Sequence, residues 1–443
     1  MIDSLLKPFQ RFGVHLGLER IQRLLADLGN PHHSVPVIHV AGTNGKGSVC
    51  AYLSAVLTEA GYRVGRYTSP HLVDWNERIC LNEQPISTNA FRELLLRIES
   101  AIPENSEDSP TQFEVITAAA WLYFAQQQVN IAVMEVGLGG RLDATNVCDR
   151  PLVTIITSIS REHWQVLGPT LADIAREKAG ILKPRCPAVI GQLPPEAEAV
   201  VEQRIKELGC PTVWVKPAQR IKEGWADYQG IKYPLPLLGE IQLTNSAIAI
   251  ATLQILQQQG WEIPQKAVSE APPVSTAVPL AKQGEAPQLG LIASGMAKTT
   301  WPGRLQWTTW HNHRLLIDGA HNPAAAIALR QYVDTLNSPV TWVIGILSTK
   351  DHADIFDALL RPADRLYLVP VPDHSSADPE ELAILAQDIC PELAKCGTYP
   401  NLEAGLQAAT SNSAEVSENV IVLCGSLYLV GYFFKQHHSA LSS

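Results

Sequence analysis

The residues best suited to chemistry lie in one glycine-rich stretch, Gly42-Thr43-Asn44-Gly45-Lys46-Gly47-Ser48. Glycines let backbone N–H groups fold around phosphate oxygens, and a helix starting just behind them adds a favourable dipole. Lys46 supplies a mobile positive charge for β- and γ-phosphates, and the Ser48 hydroxyl is placed to coordinate Mg²⁺. The stretch departs from G-x-x-x-x-G-K-[ST], because Gly47 separates the lysine from the serine and position 40 is Val. A glycine-rich turn with no ligand is the plainer alternative.

A phosphate loop needs partners that hold a metal and polarise the acceptor, and doubly wound folds place such groups just past strand ends. Three polar stretches fit. Thr68-Ser69-Pro70-His71 is followed by Glu77-Arg78. In Glu135-Val136-Gly137-Leu138-Gly139-Gly140-Arg141-Leu142-Asp143 an apolar run ends in an acid and then glycines. Glu162-His163 follows the run Leu152–Thr157. Each alone reads equally as a solvated or capping acid, or a structural histidine. Together, in one domain, they point to a shared metal and phosphate pocket. Lys178, within Ala175-Arg176-Glu177-Lys178-Ala179-Gly180, reads from its neighbours as a surface lysine on a charged helix.

Periodicity supplies the frame. Val35–Val40 is a β-rich run before the glycine turn; after it, Val49, Leu53, Val56, Leu57 and Ala60 recur at helical spacing, and Gly61 suits a helix end. Buried-type runs at Ile131–Val136 and Leu152–Thr157 alternate with helix-like stretches at Phe91–Ser100 and Val115–Gln127, the pattern of a parallel sheet covered on both faces. The rhythm breaks between Gly260 and Gly303, where Pro, Ala, Gly and Gln dominate. A second α/β series then opens with strand Leu315–Asp318 and a helix begun by Pro323. Strand Val340–Leu347, helix Ala353–Leu360, strand Arg365–Val371, helix Pro379–Ile389 and strand Asn419–Cys424 complete it. The expected division is a first domain over residues 1–295, with 262–295 as linker or insertion, and a second over 296–443.

Composition narrows the class. In 443 residues, 34 Lys plus Arg stand against 44 Asp plus Glu, a formal charge of −10, which argues against nucleic acid as a partner and leaves room only for a local basic pocket. Eight scattered cysteines without a CxxC pair argue against a disulfide scaffold or structural zinc. The N-terminal stretch is charged throughout, unlike a secretory signal, and no apolar run approaches the ~18 residues of a membrane span. A cytoplasmic protein is expected.

Ten stretches in order carry a resemblance: LGLERI (16–21), HVAGTNGKGS (39–48), YTSPHL (67–72), ERI (77–79), TQFEVITA (111–118), EVGLGGRLDATN (135–146), EKAGILK (177–183), PGR (302–304), DGAHNP (318–323) and GSLYLVG (425–431). The chain resembles the folylpolyglutamate synthase/dihydrofolate synthase family, a branch of the Mur ligase superfamily. The resemblance implies an α/β protein with a P-loop Mur-ligase-like central domain and a smaller Rossmann-like C-terminal domain. It implies an ATP-dependent amide ligase that converts a carboxylate to an acyl phosphate, which the amino group of L-glutamate attacks. Dihydropteroate is the expected acid, with further glutamylation of reduced folates.

By the same resemblance Thr43, Asn44, Gly45, Lys46, Gly47 and Ser48 form the ATP phosphate loop, and Asn245, Arg304 and Asp318 complete nucleotide binding. Ser48, Ser69, Glu135, His163 and a carbamylated Lys178 are implied as ligands of Mg²⁺, with K⁺ as a further cation. Lys46, Lys178, Asp318 and His321 are the implied catalytic residues, while Thr111 and Asp143 hold the pterin. A monomer is implied.

Some positions depart from the pattern. Glu162 replaces an aspartate before His163; Ile241-Gln242-Leu243-Thr244-Asn245-Ser246 lacks a histidine; Thr349-Lys350-Asp351 stands for Asp-Lys-Asp; and Val371–Ser376 lacks an arginine. Rival readings are a folylpolyglutamate synthase alone, a peptidoglycan ligase, or a P-loop nucleotide-binding module without ligase activity. Residues 1–41 are expected to be too few for the UDP-binding domain of peptidoglycan ligases, and Gly47 stands where those ligases carry Thr.

Overall fold

The computed structural model describes residues 2–10, 16–103, 109–263, 290–411 and 419–437. Eight strands form the first sheet: β1 (Val37–Ala41), β2 (Val64–Tyr67), β3 (Ile79–Leu81), β4 (Gln84–Pro85), β5 (Ile131–Glu135), β6 (Val153–Ile156), β7 (Ala188–Ile190) and β8 (Thr212–Trp214). Their order is β4-β3-β2-β5-β1-β6-β7-β8, parallel except for β3 and β4. The central strand β1 is buried along its whole length. Its alternate side chains feed different cores, which explains its near-continuous apolar sequence. Ile38 and Val40 join Ile131 and Val133 under the Lys46–Glu59 and Ile241–Gln258 helices. Val37 joins Ala132 and Met134 under the Thr88–Ala101 and Gln112–Gln126 helices.

A second, three-stranded antiparallel sheet follows: β9 (Gln219–Lys222), β10 (Trp225–Tyr228) and β11 (Ile231–Pro234). It buries Ala226 and Tyr233 in the first core, and Tyr233 bonds Ser246 at 2.7 Å.

The third sheet holds β12 (Gln306–Trp310), β13 (His313–Ile317), β14 (Val340–Ile344), β15 (Arg365–Leu368), β16 (Lys395–Thr398) and β17 (Val420–Cys424), in the order β12-β13-β17-β14-β15-β16. All but the β12–β13 hairpin are parallel. Helices Pro323–Asp334, His352–Leu359 and Pro379–Ile389 cover one face, and Leu402–Ser411 and Leu427–Gln436 the other. β14 and β15 stop three residues short of the apolar runs that mark them. Their tails, including Ile346, Val369 and Val371, stay buried after strand pairing has ended.

The expected linker at 262–295 needs a correction. Residues 264–289 lie outside the described residues, but Leu291–Ala297 is a helix that runs past position 295. Ile292, Ala293 and Met296 are buried in the first core. The chain passes from the first core to the second between Trp301, packed on the former, and Leu305, inside the latter. Among the described residues, all eight cysteines are free thiols and no helix is long and apolar enough to cross a membrane.

Met296 is fully buried, so Met296→Ala should cost about 2–5 kcal/mol through lost contacts and a cavity. A denaturant midpoint that stays unchanged would show that this helix contributes nothing to the core.

Candidate active site

The end of β1 sets the site. Gly42 has φ +151°, and a Cβ there would lie 1.9 Å from Thr157 Oγ1. The segment after β6 presses against the loop: Thr43 N–H donates to Ser158 O at 2.8 Å, and the Thr157 and Ser158 hydroxyls donate to Asn44 O at 2.6 and 3.0 Å. Gly45, at φ +86°, turns the chain into the Lys46–Glu59 helix, with Asn245 Oδ1 2.4 Å from where its Cβ would be. That first helical turn, Lys46 to Ser48, lines the cleft, and a helix start leaves its N–H groups without intrahelical partners, as an anion site requires.

Lys46 Nζ donates to Gly42 O and Thr43 O at 3.1 and 3.0 Å, and Lys178 Nζ donates to the same Gly42 O at 2.8 Å. Lys178 is therefore not the surface lysine its charged neighbours suggest; it is 5% exposed. Burial, reinforced by the charge of Lys46, pushes its amine down to about 7.

Ser48, Ser69, Glu135 and His163 line the same cleft. Ser48 Oγ accepts from Gln242 Nε2 at 3.3 Å, and Ser69 N–H donates to Glu135 Oε2 at 3.3 Å. Burial raises the Glu135 carboxyl to about 7, although Lys46 and Arg304 oppose the rise. His163, with its side chain 47% exposed, stands 3.9 Å from Glu162; partial burial lowers it to about 4. Among the described residues, no group of three or more His, Cys, Asp or Glu gathers around a point. The candidate ligands are instead two hydroxyls, one buried carboxylate and a neutral imidazole. Oxygen-rich donors of this kind suit a hard divalent cation.

The opposite wall comes from the third sheet. Asp318, just past β13, accepts N–H bonds from Leu305 and Ala320 at 2.9 and 2.7 Å; burial raises its pKa against the pull of Arg304. Asn322 caps the Pro323–Asp334 helix and exchanges amide bonds with Asn44 at 3.0 and 3.2 Å. Glu162 Oε1 meets His321 Nε2 at 3.0 Å, Asn322 Nδ2 at 3.2 Å and Lys350 Nζ at 3.6 Å. Burial disfavours the Glu162 charge, but His321, Lys350 and Lys46 outweigh it and hold the acid well below the usual carboxylate range. Asn245 is buried and spends its amide on Gln242 at 3.1 Å, behind the phosphate loop.

Thr111 and Asp143 line the same cleft. Thr111 caps the Gln112–Gln126 helix through Glu114, which pairs with Arg20 at 3.1 Å. Asp143 is buried and accepts from Thr145 N, Thr145 Oγ1 and Leu138 N at 3.0, 2.6 and 2.8 Å. Its carboxylate thus mainly holds its own loop together, instead of offering open acceptors to a ligand. The whole cleft measures about 1140 Å³, room for a nucleotide and a second substrate together.

Arg141 does not join Lys46, Lys178 and Arg304 on the cleft wall. It is exposed and pairs with Glu177 at 2.9 Å. Sequence reading also overlooks Arg66 and Trp301, which do line the cleft. A lone arginine within a strand carries no local signal, and Trp301 sits in a compositionally featureless stretch.

Residues 40–253 match the Mur ligase middle domain, and residues 304–436 match the dihydrofolate synthetase C-terminal domain. Dihydrofolate synthetase of Saccharomyces cerevisiae is 35% identical, over 97% of this chain and 99% of its own length. Mycobacterium tuberculosis folylpolyglutamate synthase complexed with ADP superposes with a TM-score of 0.83 at 31% identity, covering 98% of this chain and 97% of that one. A bifunctional folylpolyglutamate synthase/dihydrofolate synthase from Yersinia pestis, complexed with AMPPNP and a Mn ion, has a TM-score of 0.79 at 28% identity, again covering 98% and 97%. Two matched domains in this order, on a cleft that joins a phosphate loop to a facing α/β wall, place the chain in the dihydrofolate synthase/folylpolyglutamate synthase family of ATP-dependent ligases.

Proposed function

We propose that the protein joins L-glutamate to dihydropteroate and also extends reduced folates, acting as a monomer in the cytoplasm. The observation that carries this reading is the cleft that the phosphate loop, the Asp318–His321 wall, Thr111 and Asp143 line together within one chain. Thr111 and the Asp143-braced loop are assigned as the walls of the pterin site. Relatives with comparable similarity bear both activity names, which supports dual activity.

A carboxylate is a poor electrophile, and the chemistry begins by mending that. Its oxygen attacks the γ-phosphorus of ATP, ADP leaves, and the acyl phosphate then loses phosphate to the attacking amine of glutamate, which gives up a proton. Lys46, lifted from its carbonyl contacts, is assigned to the transferring phosphoryl group, as are the loop N–H groups. Arg304 and Asp318 are assigned to the nucleotide from the facing wall, with Asn245 supporting the loop near the base. His321, fixed by Gly319 O at 2.7 Å and by Glu162, is assigned to the amine side of the cleft. A divalent cation held by Ser48, Ser69, Glu135 and His163 would neutralise phosphate charge.

Lys178 is assigned a carbamate. Its amine, depressed to about 7, is substantially unprotonated near neutral pH. In that form the nitrogen adds to CO₂ and releases a proton, which replaces a second buried cation near Lys46 with an anion.

The direct assay is ADP release in potassium and magnesium buffer, with dihydropteroate or tetrahydrofolate, each with and without L-glutamate. Both acids should support glutamate-dependent release. Activity with tetrahydrofolate alone would reduce the protein to a folylpolyglutamate synthase, and release independent of either acid would overturn the ligase reading.

Lys46→Ala should lower kcat by about 10³-fold or more with the unfolding midpoint retained, as expected for losing a charge that stabilises a transferring phosphoryl group. Lys178→Ala should be nearly inactive but partly restored by added acetate or propionate. Near-normal activity without the additive would remove the carbamate from the scheme.

A further inference from the structure

Gly47 lies inside the Lys46–Glu59 helix, in a backbone conformation open to any residue. Space is what excludes a side chain. A Cβ at position 47 would come within 2.3 Å of Trp301 Cζ2 and 2.7 Å of Trp301 Cε2, so the indole edge rests in the notch that the glycine leaves. The glycine that separates Lys46 from Ser48 thus answers to a tryptophan more than 250 residues away in sequence.

The other side of the indole is held as well. The Arg66 guanidinium lies 5.4 Å from the Trp301 ring centroid, within cation–π range. Arg66 is buried and pairs with Glu83 at 2.6 Å, and Glu83 also accepts from the Ser54 hydroxyl. Glu83 holds this position at φ +66°, an uncommon conformation for a residue of its kind.

Trp301 opens the crossover between the two cores. Pro302 restricts the chain after it. Gly303 donates to Gln306 Oε1 at 3.0 Å and accepts from Gly319 N–H at 2.9 Å. Arg304 then crosses Gly319 so closely that its Nη1 is 2.2 Å from where a Cβ would be. A short, restrained path therefore runs from the first turn of the phosphate-loop helix to the arginine on the facing wall.

We infer that Trp301 is a positioning residue that registers Arg304 against the phosphate loop by seating its indole on Gly47. The inference rests on the ligase reading above. Accordingly, the unmodified protein is assayed alongside: its own ADP release tests that reading, and the ratio of variant to unmodified protein tests Trp301. Trp301→Ala should lower kcat by about tenfold or more and weaken AMPPNP binding, measured by calorimetry, with the unfolding midpoint retained, because Arg304 loses its register while the core and the loop stay folded. Gly47→Ala, which displaces the indole, should reproduce the loss of kcat. Trp301→Phe, which keeps a ring in the notch, should recover most of it. A kcat within about twofold of the unmodified protein in Trp301→Ala would overturn the inference. So would a parallel fall of AMPPNP affinity and unfolding midpoint, the mark of simple core packing.

Discussion

Two lysine side chains donate to one carbonyl oxygen at the end of the central strand, and much of the cleft follows from that. Lys46 and Lys178 both reach Gly42 O, which places their amines within about 6 Å of each other. Two full charges at that separation repel by roughly 3 kcal/mol at an effective dielectric of 20. Burial, reinforced by that repulsion, depresses Lys178 to about 7. Glu135 shows the converse response: a buried acid drawn up to about 7 despite neighbouring cations. Groups driven from their ordinary protonation states and clustered in a cleft are what a site for charged ligands needs.

The facing wall is tied to this centre by polar contacts that cross the cleft. Glu162 draws His321, Asn322 and Lys350 onto one oxygen, and the Asn44–Asn322 amide pair joins the phosphate loop to a helix N-terminus. Trp164 Nε1 adds a bond to Asp351 at 3.2 Å. Glu162 therefore meets Lys350, the middle residue of the Thr349-Lys350-Asp351 stretch, across the cleft. The longer acid and the retained lysine act there as one unit.

The parts of this arrangement that were legible in the sequence are those set by local physics. Gly42, Gly45, Lys46 and Ser48 reveal themselves because a strand, a glycine turn and a helix are consecutive. Asn322-Pro323 announces a helix start, and the second α/β series is marked by its apolar runs. Contacts between distant segments are not legible from local pattern. Lys178 sits among charged neighbours, yet its burial is decided by the loop after β1, 136 positions away. Helix Leu291–Ala297 is too short and too rich in small residues to stand out from the polar stretch before it. The three-stranded sheet is hidden for a related reason: β9 is exposed at every position, so no alternation marks it.

Charge pairing also decides which cations remain for a ligand on an acidic chain of net charge −10. Arg66 is committed to Glu83, Lys350 to Glu162, and Arg78 donates to His71 at 2.9 Å. Among the described residues, Lys46 hydrogen-bonds to backbone carbonyls alone, contacts that a phosphate can replace at little cost because it is the stronger acceptor. Arg304 comes from the other wall and lies close enough to Glu135 and Asp318 to act on both. On the proposed reading, a nucleotide phosphate is then gripped from two walls by cations whose spacing no single element fixes. The crossover from Trp301 to Arg304 is the covalent path that shortens that uncertainty to three residues, so a positioning role there follows from how the charges are distributed.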